Sequence, residues 1–284
     1  MTDAVVDYLR TQAAVIADRA GDVRVDAPDA VHRSRVATRR SRSALRTFVP
    51  LFKRRRVRAL RNELAWHADH LGAPRDAEVL KERLLASLDE LPPAEVVGPV
   101  HERLGAALDA THARAHASLV VSMDTPRYAE LREALDDFVT DPPRREGMWA
   151  DPVLLSRLIG KAVERVRRLE ARAAELEDDD HRWHEVRKAA KAARYCSEAL
   201  VPVFGDPADE MRAAWEQVTE ALGEFQDTVV AETYLATDAA HARSAGEPAD
   251  TYLSLISREL DLRGTALRDG RAALTDALAL PSLD

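Results

Sequence analysis

His32-Arg33-Ser34-Arg35-Val36-Ala37-Thr38-Arg39-Arg40-Ser41-Arg42 returns 152 positions later as His184-Glu185-Val186-Arg187-Lys188-Ala189-Ala190-Lys191-Ala192-Ala193-Arg194. The leading histidine and the spacing of the cations behind it survive in both copies. Two more segments echo in the same order. Thr47-Phe48-Val49-Pro50-Leu51-Phe52 matches Ala199-Leu200-Val201-Pro202-Val203-Phe204, and Leu71-Gly72-Ala73-Pro74-Arg75-Asp76 matches Leu222-Gly223-Glu224-Phe225-Gln226-Asp227. Self-similarity over such a span predicts two copies of one structural unit. Because its most faithful part is a set of cations, the cations are expected to be the function.

On an α-helix, which turns by about 100° per residue, His32, Arg35, Arg39, Arg42 and Arg46 fall within an arc of about 80°. His184, Arg187, Lys191 and Arg194 share the offsets. Each copy therefore presents one basic ridge. Ala37, Ser41, Ala44, Leu45 and Phe48 lie on another side, as do Val186, Ala189, Ala190, Ala193 and Leu200, and that side is expected to pack inward. Like charges at neighbouring helical positions repel by about 0.2–0.5 kcal/mol per pair, so a ridge without acids calls for a compensating anion. An extended phosphate polymer matches it: guanidinium groups bind phosphate oxygens bidentately, lysine adds a point charge, and histidine a pH-dependent donor. In the second copy Glu198 replaces Arg46 and is expected to pair with Arg194, four residues earlier.

The charge balance of the whole chain sharpens this. The 284 residues carry a net charge of −8, yet His32 to Asn62 holds 12 Lys or Arg and no Asp or Glu. Concentrated cations on an acidic chain make a local positive field, while the remainder discourages indiscriminate anion binding. Lys53 and Arg56 are read as rim contributors to the site. On a second stripe near residues 157–172, Lys161 and Arg165 are added as flanking cations.

With 46% hydrophobic, 32% charged and only 5% aromatic residues, the composition suits a helical protein with an Ala, Val and Leu core. No signal segment or run of about 18 apolar residues stands out, so neither secretion nor a membrane span is expected. The single cysteine, Cys196, fits a reducing cytosol and a buried apolar role. Proline and glycine punctuate the rest into some ten helices, with an all-α fold as the result. Breaks are expected at Pro50, Gly72-Ala73-Pro74, Pro92-Pro93, Gly98-Pro99, Pro126, Pro142-Pro143, Pro152, Pro202 to Pro207 and Gly246-Glu247-Pro248. Asp26-Ala27-Pro28-Asp29 is expected to cap the first basic helix, and Asp180 the second. The copies are divided at Asp141-Pro142, giving halves at 1–141 and 142–284 of four or five helices each.

The quoted motifs resemble the CHAD family, the conserved-histidine α-helical domains. Val31-His32-x-x-Arg35-Val36-Ala37-x-Arg39-Arg40-x-Arg42 is similar to the family's first signature. His184-x-x-Arg187-Lys188-x-x-Lys191-x-x-Arg194-Tyr195 followed by Leu222-Gly223-x-x-Gln226-Asp227 is similar to its second. The resemblance spans nearly the whole chain. It implies two helical bundles related by a pseudo-twofold axis, a basic central channel that binds inorganic polyphosphate, and a cytoplasmic location on polyphosphate granules. Many members carry a triphosphate-processing CYTH domain before this region. With the first motif at residue 31, a stand-alone member is expected here. Arg40 and Lys188 join the expected polyphosphate site through their place in the motifs.

Other chemistry is weaker. The Leu-Gly-x-x-x-Asp motif is placed between helices, its glycines permitting close approach and Asp76 and Asp227 capping a helix or holding a ridge arginine; no base or nucleophile accompanies them. His112 with His116, and His67 with His70, are read as surface histidines, since they match no metalloprotease or cysteine-containing zinc pattern. No metal, cofactor or catalytic residue is assigned. Trp66, Trp149, Trp183 and Trp215 form no regular stacking platform and are read as packing residues, which weighs against a single-stranded nucleic-acid binder. Nucleic acid is the alternative partner, since the same cations suit its backbone. An enzyme acting on polyphosphate or nucleotides is a third reading, lacking a metal-binding carboxylate cluster.

Overall fold

Proline and glycine do most of the expected punctuating. In the computed structural model, which describes residues 3–147, 151–175 and 179–283, the helices are α1 (Ala4–Asp18), α2 (Ala20–Arg24), α3 (Ala30–Thr47), α4 (Arg54–Asp89), α5 (Val100–Met123), α6 (Pro126–Thr140), α7 (Pro152–Ala174), α8 (Asp180–Phe204), α9 (Asp206–Ser244) and α10 (Asp250–Ala279). The fold is all-α. No strand occurs among the described residues, only an isolated bridge between Phe52 and Arg144.

Helix starts follow local chemistry. Pro126 and Pro152 occupy first helical positions, where the missing N–H costs nothing. Ahead of them, Thr125 accepts from the Tyr128 N–H and Asp151 from the Leu154 N–H at 2.8 Å. Two cap assignments need correction. Asp179, one residue earlier than expected, caps α8 by accepting from the Arg182 N–H at 3.2 Å, and Asp180 instead pairs with Arg263. Before α3, Asp29 takes the cap position with φ 64° but makes no side-chain cap bond; its carboxylate holds Arg33 at 2.7 Å.

The larger correction concerns the expected break at Gly72-Ala73-Pro74. The 36-residue α4 runs straight through it, and the 39-residue α9 runs through Gly223. An interior proline costs a helix about 3 kcal/mol. Here Leu71, Gly72 and Pro74 are all buried, and packing outweighs that cost. Likewise Pro202 sits inside the last turn of α8, which ends at Phe204 and is capped by Gly205.

α3 and α8 pack against each other at the centre, with α4 on α3 and α9 on α8. The faces read as apolar are the buried ones: Ala37, Ser41, Ala44 and Leu45 on α3, Ala189, Ala190, Ala193 and Leu200 on α8. These are mostly small side chains, which let two ridge-bearing helices approach closely. The buried hydroxyls are satisfied within their own helices: Ser41 donates to the Ala37 carbonyl at 3.0 Å and Ser197 to the Ala193 carbonyl at 3.0 Å. One core, from Val5 to Leu283, runs through both copies, with the fully buried Trp183 and Trp215 in it. Trp149 lies outside the described residues. A second, smaller core gathers Leu84 and Leu88 of α4, Leu104 and Leu108 of α5, Leu235 of α9, and Tyr252 and Leu255 of α10. Thus α4 and α9 leave the main core after Leu71 and Phe225 and enter the second at Leu84 and Ala231. The site lies around that passage.

Candidate functional site

α4 and α9, around the point where each passes from one core to the other, face the basic ridges of α3 and α8 across a cavity of about 610 Å³. From the ridges come His32, Arg35 and Arg39 of α3, and His184, Arg187, Lys191 and Arg194 of α8. From the opposite wall come Arg75, Asp76 and Arg83 of α4, and Thr219, Glu220, Gly223, Glu224, Gln226 and Asp227 of α9. Residues related by the repeat thus face one space.

The Leu-Gly-x-x-x-Asp motif turns out to be a cradle for the repeated arginine. Arg35 is ion-paired with Asp76 at 2.9 Å, and Gly72 lies beneath its guanidinium: a Cβ there would sit 3.8 Å from Arg35 Nη2. In the second copy a Cβ at Gly223 would sit 3.0 Å from Arg187 Nη2, closer than side chains normally tolerate. Asp227 is the chief charge favouring the cation of Arg187, which burial otherwise disfavours. Of the two roles considered for the aspartates, Asp76 holds its ridge arginine and Asp227 acts on Arg187 electrostatically; both lie inside helices and neither caps one.

At the centre, Arg39 and Lys191 occupy equivalent positions and act on each other electrostatically. Burial, then Arg39, Arg187 and Arg35, push the half-buried Lys191 down to about 6. Neither Arg39 nor Lys191 is ion-paired with a carboxylate among the described residues. What orders Arg39 is Tyr195, whose buried ring has Arg39, Arg40 and Arg194 at 5.7, 5.6 and 5.9 Å from its centroid. A ring face attracts cations without neutralising them. The Nε groups of Arg39, Arg187 and Arg194 are buried without a hydrogen-bond partner.

Both leading histidines are held toward the neutral form. Burial and then Arg75 lower His32; burial lowers His184, outweighing the hydrogen bond between its Nδ1 and Gln226 Oε1 at 2.7 Å. With an oxygen as partner, Nδ1 carries the proton and the neutral ring leaves Nε2 without one.

The remaining expected site residues are ion-paired, exposed or outside the cavity. Arg40 pairs with Glu198 at 2.9 Å. Arg194 lines the cavity but pairs with Glu216 on α9, so the expected Arg194–Glu198 pair is replaced by two inter-helix pairs. Lys188 is exposed and paired with Glu185. Lys53, Arg56 and Lys161 are exposed and line no part of this cavity. Arg42, Arg46 and Arg165 also fall outside it, gathered with Arg61.

Arg75, Arg83, Tyr195 and Gln226 line the cavity but were not expected there. Arg75 and Gln226 were visible inside the Leu-Gly motif, and Tyr195 inside the second signature. Arg83 gave no sequence signal, since its partners Glu259 and Glu224, both at 2.7 Å, come from distant helices.

The histidines set aside are not surface residues. His67 is 1% exposed, against the Tyr128 ring, and burial pushes it down to about 4. His112 and His116 are half-buried and stacked; His112 places Nδ1 3.1 Å from the Pro74 carbonyl and Nε2 2.7 Å from Asp26 Oδ2. No cluster of three or more metal-ligating residues occurs among the described residues.

The CHAD domain family model matches residues 7–236. The chain belongs to the CHAD family. Its fold is shared with PptA from Streptomyces chartreusis, at a TM-score of 0.77 and 24% identity over 97% of this chain and 98% of that one. It is shared too with the CHAD domain of the plant Ricinus communis, at a TM-score of 0.71 and 23% identity over 99% and 92%. The uncharacterized protein Rv2226 of Mycobacterium tuberculosis is 36% identical over 268 residues, 90% of this chain and 49% of that protein. The chain therefore spans about half the length of the curated relatives it matches. Among the described residues no helix is long and apolar enough to cross a membrane.

Proposed function

We propose that this CHAD protein binds inorganic polyphosphate in the cavity between its two copies and does not itself turn it over. The carrying observation is the pair Arg39 and Lys191. Cations contributed by both copies meet in a half-buried space, and neither of these two is ion-paired with a carboxylate among the described residues. Concentrating like charge this way is costly unless an anion completes the site. Guanidinium groups on the cavity wall supply planar sets of donors that phosphate oxygens accept.

The opposite wall restricts what enters. Asp76, Glu220, Glu224 and Asp227 line the same space, so an anion must run along the cationic wall. A cavity of about 610 Å³ suits a single extended phosphate chain. Membership in the CHAD family supports the same ligand, and with it association with polyphosphate granules. The residues in the cavity act as binders: Arg35 and Arg187 as fixed forks, Arg39 as the unneutralised centre, Lys191 and the histidines as groups that charge as the anion arrives.

Competition tests the reading against nucleic acid. Labelled long-chain polyphosphate bound at physiological salt should resist displacement by excess duplex DNA. Displacement by DNA at comparable phosphate concentration would favour the nucleic-acid reading. Release of orthophosphate from polyphosphate in the presence of magnesium, above a blank, would overturn the non-catalytic part.

A further inference from the structure

Beyond the cavity, the ridge of α3 continues into a second group of cations drawn from three helices. The charged neighbours of Arg46 are Arg165 of α7, Arg61 of α4 and Arg42 of α3. Arg42, Arg46 and Arg61 are half-buried and Arg165 is exposed. None of the four is ion-paired with an Asp or Glu among the described residues, although half-buried arginines elsewhere, such as Arg40, Arg75, Arg83, Arg194 and Arg263, are. The Nε of Arg61 is buried without a hydrogen-bond partner. Burial and the surrounding guanidinium groups both disfavour the charge on Arg46.

The second copy does not repeat this group. Glu198 stands in place of Arg46 and is paired with Arg40. Arg194, the counterpart of Arg42, is paired with Glu216, and Arg212 shares that carboxylate at 2.8 Å while also holding Asp209 at 2.6 Å. The repeat is kept in sequence while its charge symmetry is broken: one copy carries an unneutralised guanidinium cluster, and the equivalent positions of the other are closed by carboxylates.

From this the geometry points to a second phosphate subsite at Arg42, Arg46, Arg61 and Arg165, on one side of the cavity only, that engages the polymer where it extends beyond the central cations. Arg39 and Arg42 are one turn apart on the same face of α3, so a single extended chain can be followed from one group to the next. The ligand class is a linear polyphosphate longer than the cavity alone accommodates. The subsite makes affinity depend on chain length and gives the bound polymer a preferred direction of exit. This inference rests on the polyphosphate reading above.

Titrations of the wild type and the Arg46→Gln/Arg61→Gln variant with tripolyphosphate and with long-chain polyphosphate test it. The variant should lose about tenfold or more in affinity for the long chain, as expected for two charge-assisted hydrogen bonds, and keep its affinity for tripolyphosphate. Its log K against log salt slope for the long chain should shrink by about 0.7 for each phosphate that the variant no longer neutralises. Thermal unfolding serves as the folding control, and relief of like-charge crowding should leave the midpoint equal or higher. A folded variant that keeps the wild-type ratio of long-chain to tripolyphosphate affinity overturns the subsite alone. A variant that weakens both ligands equally also overturns it, by making these arginines part of the central site. Wild-type protein that binds neither ligand overturns the polyphosphate reading itself, and the subsite with it.

Discussion

Arg39 and Lys191, equivalent residues of the two copies, meet in the cavity with no carboxylate partner for either among the described residues. Two of their neighbours in the repeat are ion-paired, Arg35 with Asp76 and Arg194 with Glu216, while Asp227 favours the charge of both Arg187 and Lys191 without forming an ion pair with either among the described residues. The duplication thus does more than double a basic helix. It sets two ridges against each other so that Arg39 holds a charge with no ion-pair partner among the described residues and Lys191 is held toward its neutral form until an anion restores its charge.

Removing that centre should abolish tight binding. Arg35→Ala with Arg39→Ala is expected to weaken long-chain polyphosphate binding by about a hundredfold, on the scale of charge-assisted hydrogen bonds. Helicity by circular dichroism should be unchanged. Unaltered affinity in the folded double variant would remove these residues from the site.

Binding should take up protons. Lys191 lies near 6 in the free protein because of burial and then the charges of Arg39, Arg187 and Arg35. An anion beside it restores its ordinary range. Between about 6 and 10.5 the complex therefore holds a proton that the free protein lacks, and affinity should fall as pH rises through that window. Calorimetry at about pH 7.5 in buffers of different ionisation enthalpy should report uptake, and Lys191→Arg should remove the lysine's share. For the ligand-free protein the same depressed value means that unfolding binds a proton across this window, so stability should rise with pH there.

The two motif glycines should answer differently to alanine. Replacing glycine inside a helix gains about 0.5–1 kcal/mol where space allows. At Gly72 the nearest atoms to a Cβ are 3.7 Å away, so Gly72→Ala should raise the melting temperature and leave binding intact. At Gly223 a Cβ meets Arg187 Nη2 at 3.0 Å, and the flexible guanidinium must move. Gly223→Ala should therefore fold and yet bind several-fold more weakly. Equal affinities for the two variants would contradict the cradle.

His112 ties the turn before α3 to α4 and should make stability pH-dependent. Both of its nitrogens face acceptors, the Pro74 carbonyl and the Asp26 carboxylate, which only the doubly protonated ring satisfies. Burial opposes that charge, but Asp26 and the Pro74 carbonyl outweigh it and raise the group above its ordinary 6.5. A raised value means the contribution is full below about 6.5 and fades as pH rises through the folded value. His112→Ala should cost about 1 kcal/mol at about pH 6 by urea unfolding, discounted for partial exposure, and less at about pH 9. A pH-independent cost would refute the clasp.

Much of this was legible in the chain. The recurrence of His32 to Arg42 at His184 to Arg194 located the two central helices, the ridge and the inward faces, because a repeated 3.6-residue pattern fixes orientation directly. From both copies, His32, Arg35, Arg39, His184, Arg187, Lys191 and Arg194 do line one cavity. Reading Gly72-Ala73-Pro74 as a break failed because local propensity was overridden by burial of Leu71, Gly72 and Pro74. Glu198 was given the wrong arginine, since i,i+4 spacing knows nothing of a helix packed alongside. Arg83 and Tyr195 were missed for the same reason: their roles come from partners on other helices. His67 and His112 were misplaced because polarity does not report depth inside a long helix.

The most direct measurement is a calorimetric titration at physiological salt with long-chain polyphosphate, tripolyphosphate and duplex DNA in turn. Tightest binding to the long chain, weaker binding to tripolyphosphate and little to the duplex is the predicted order. Equal or tighter binding of DNA, or no heat with any of the three, would contradict the assignment of the Arg39–Lys191 cavity to polyphosphate.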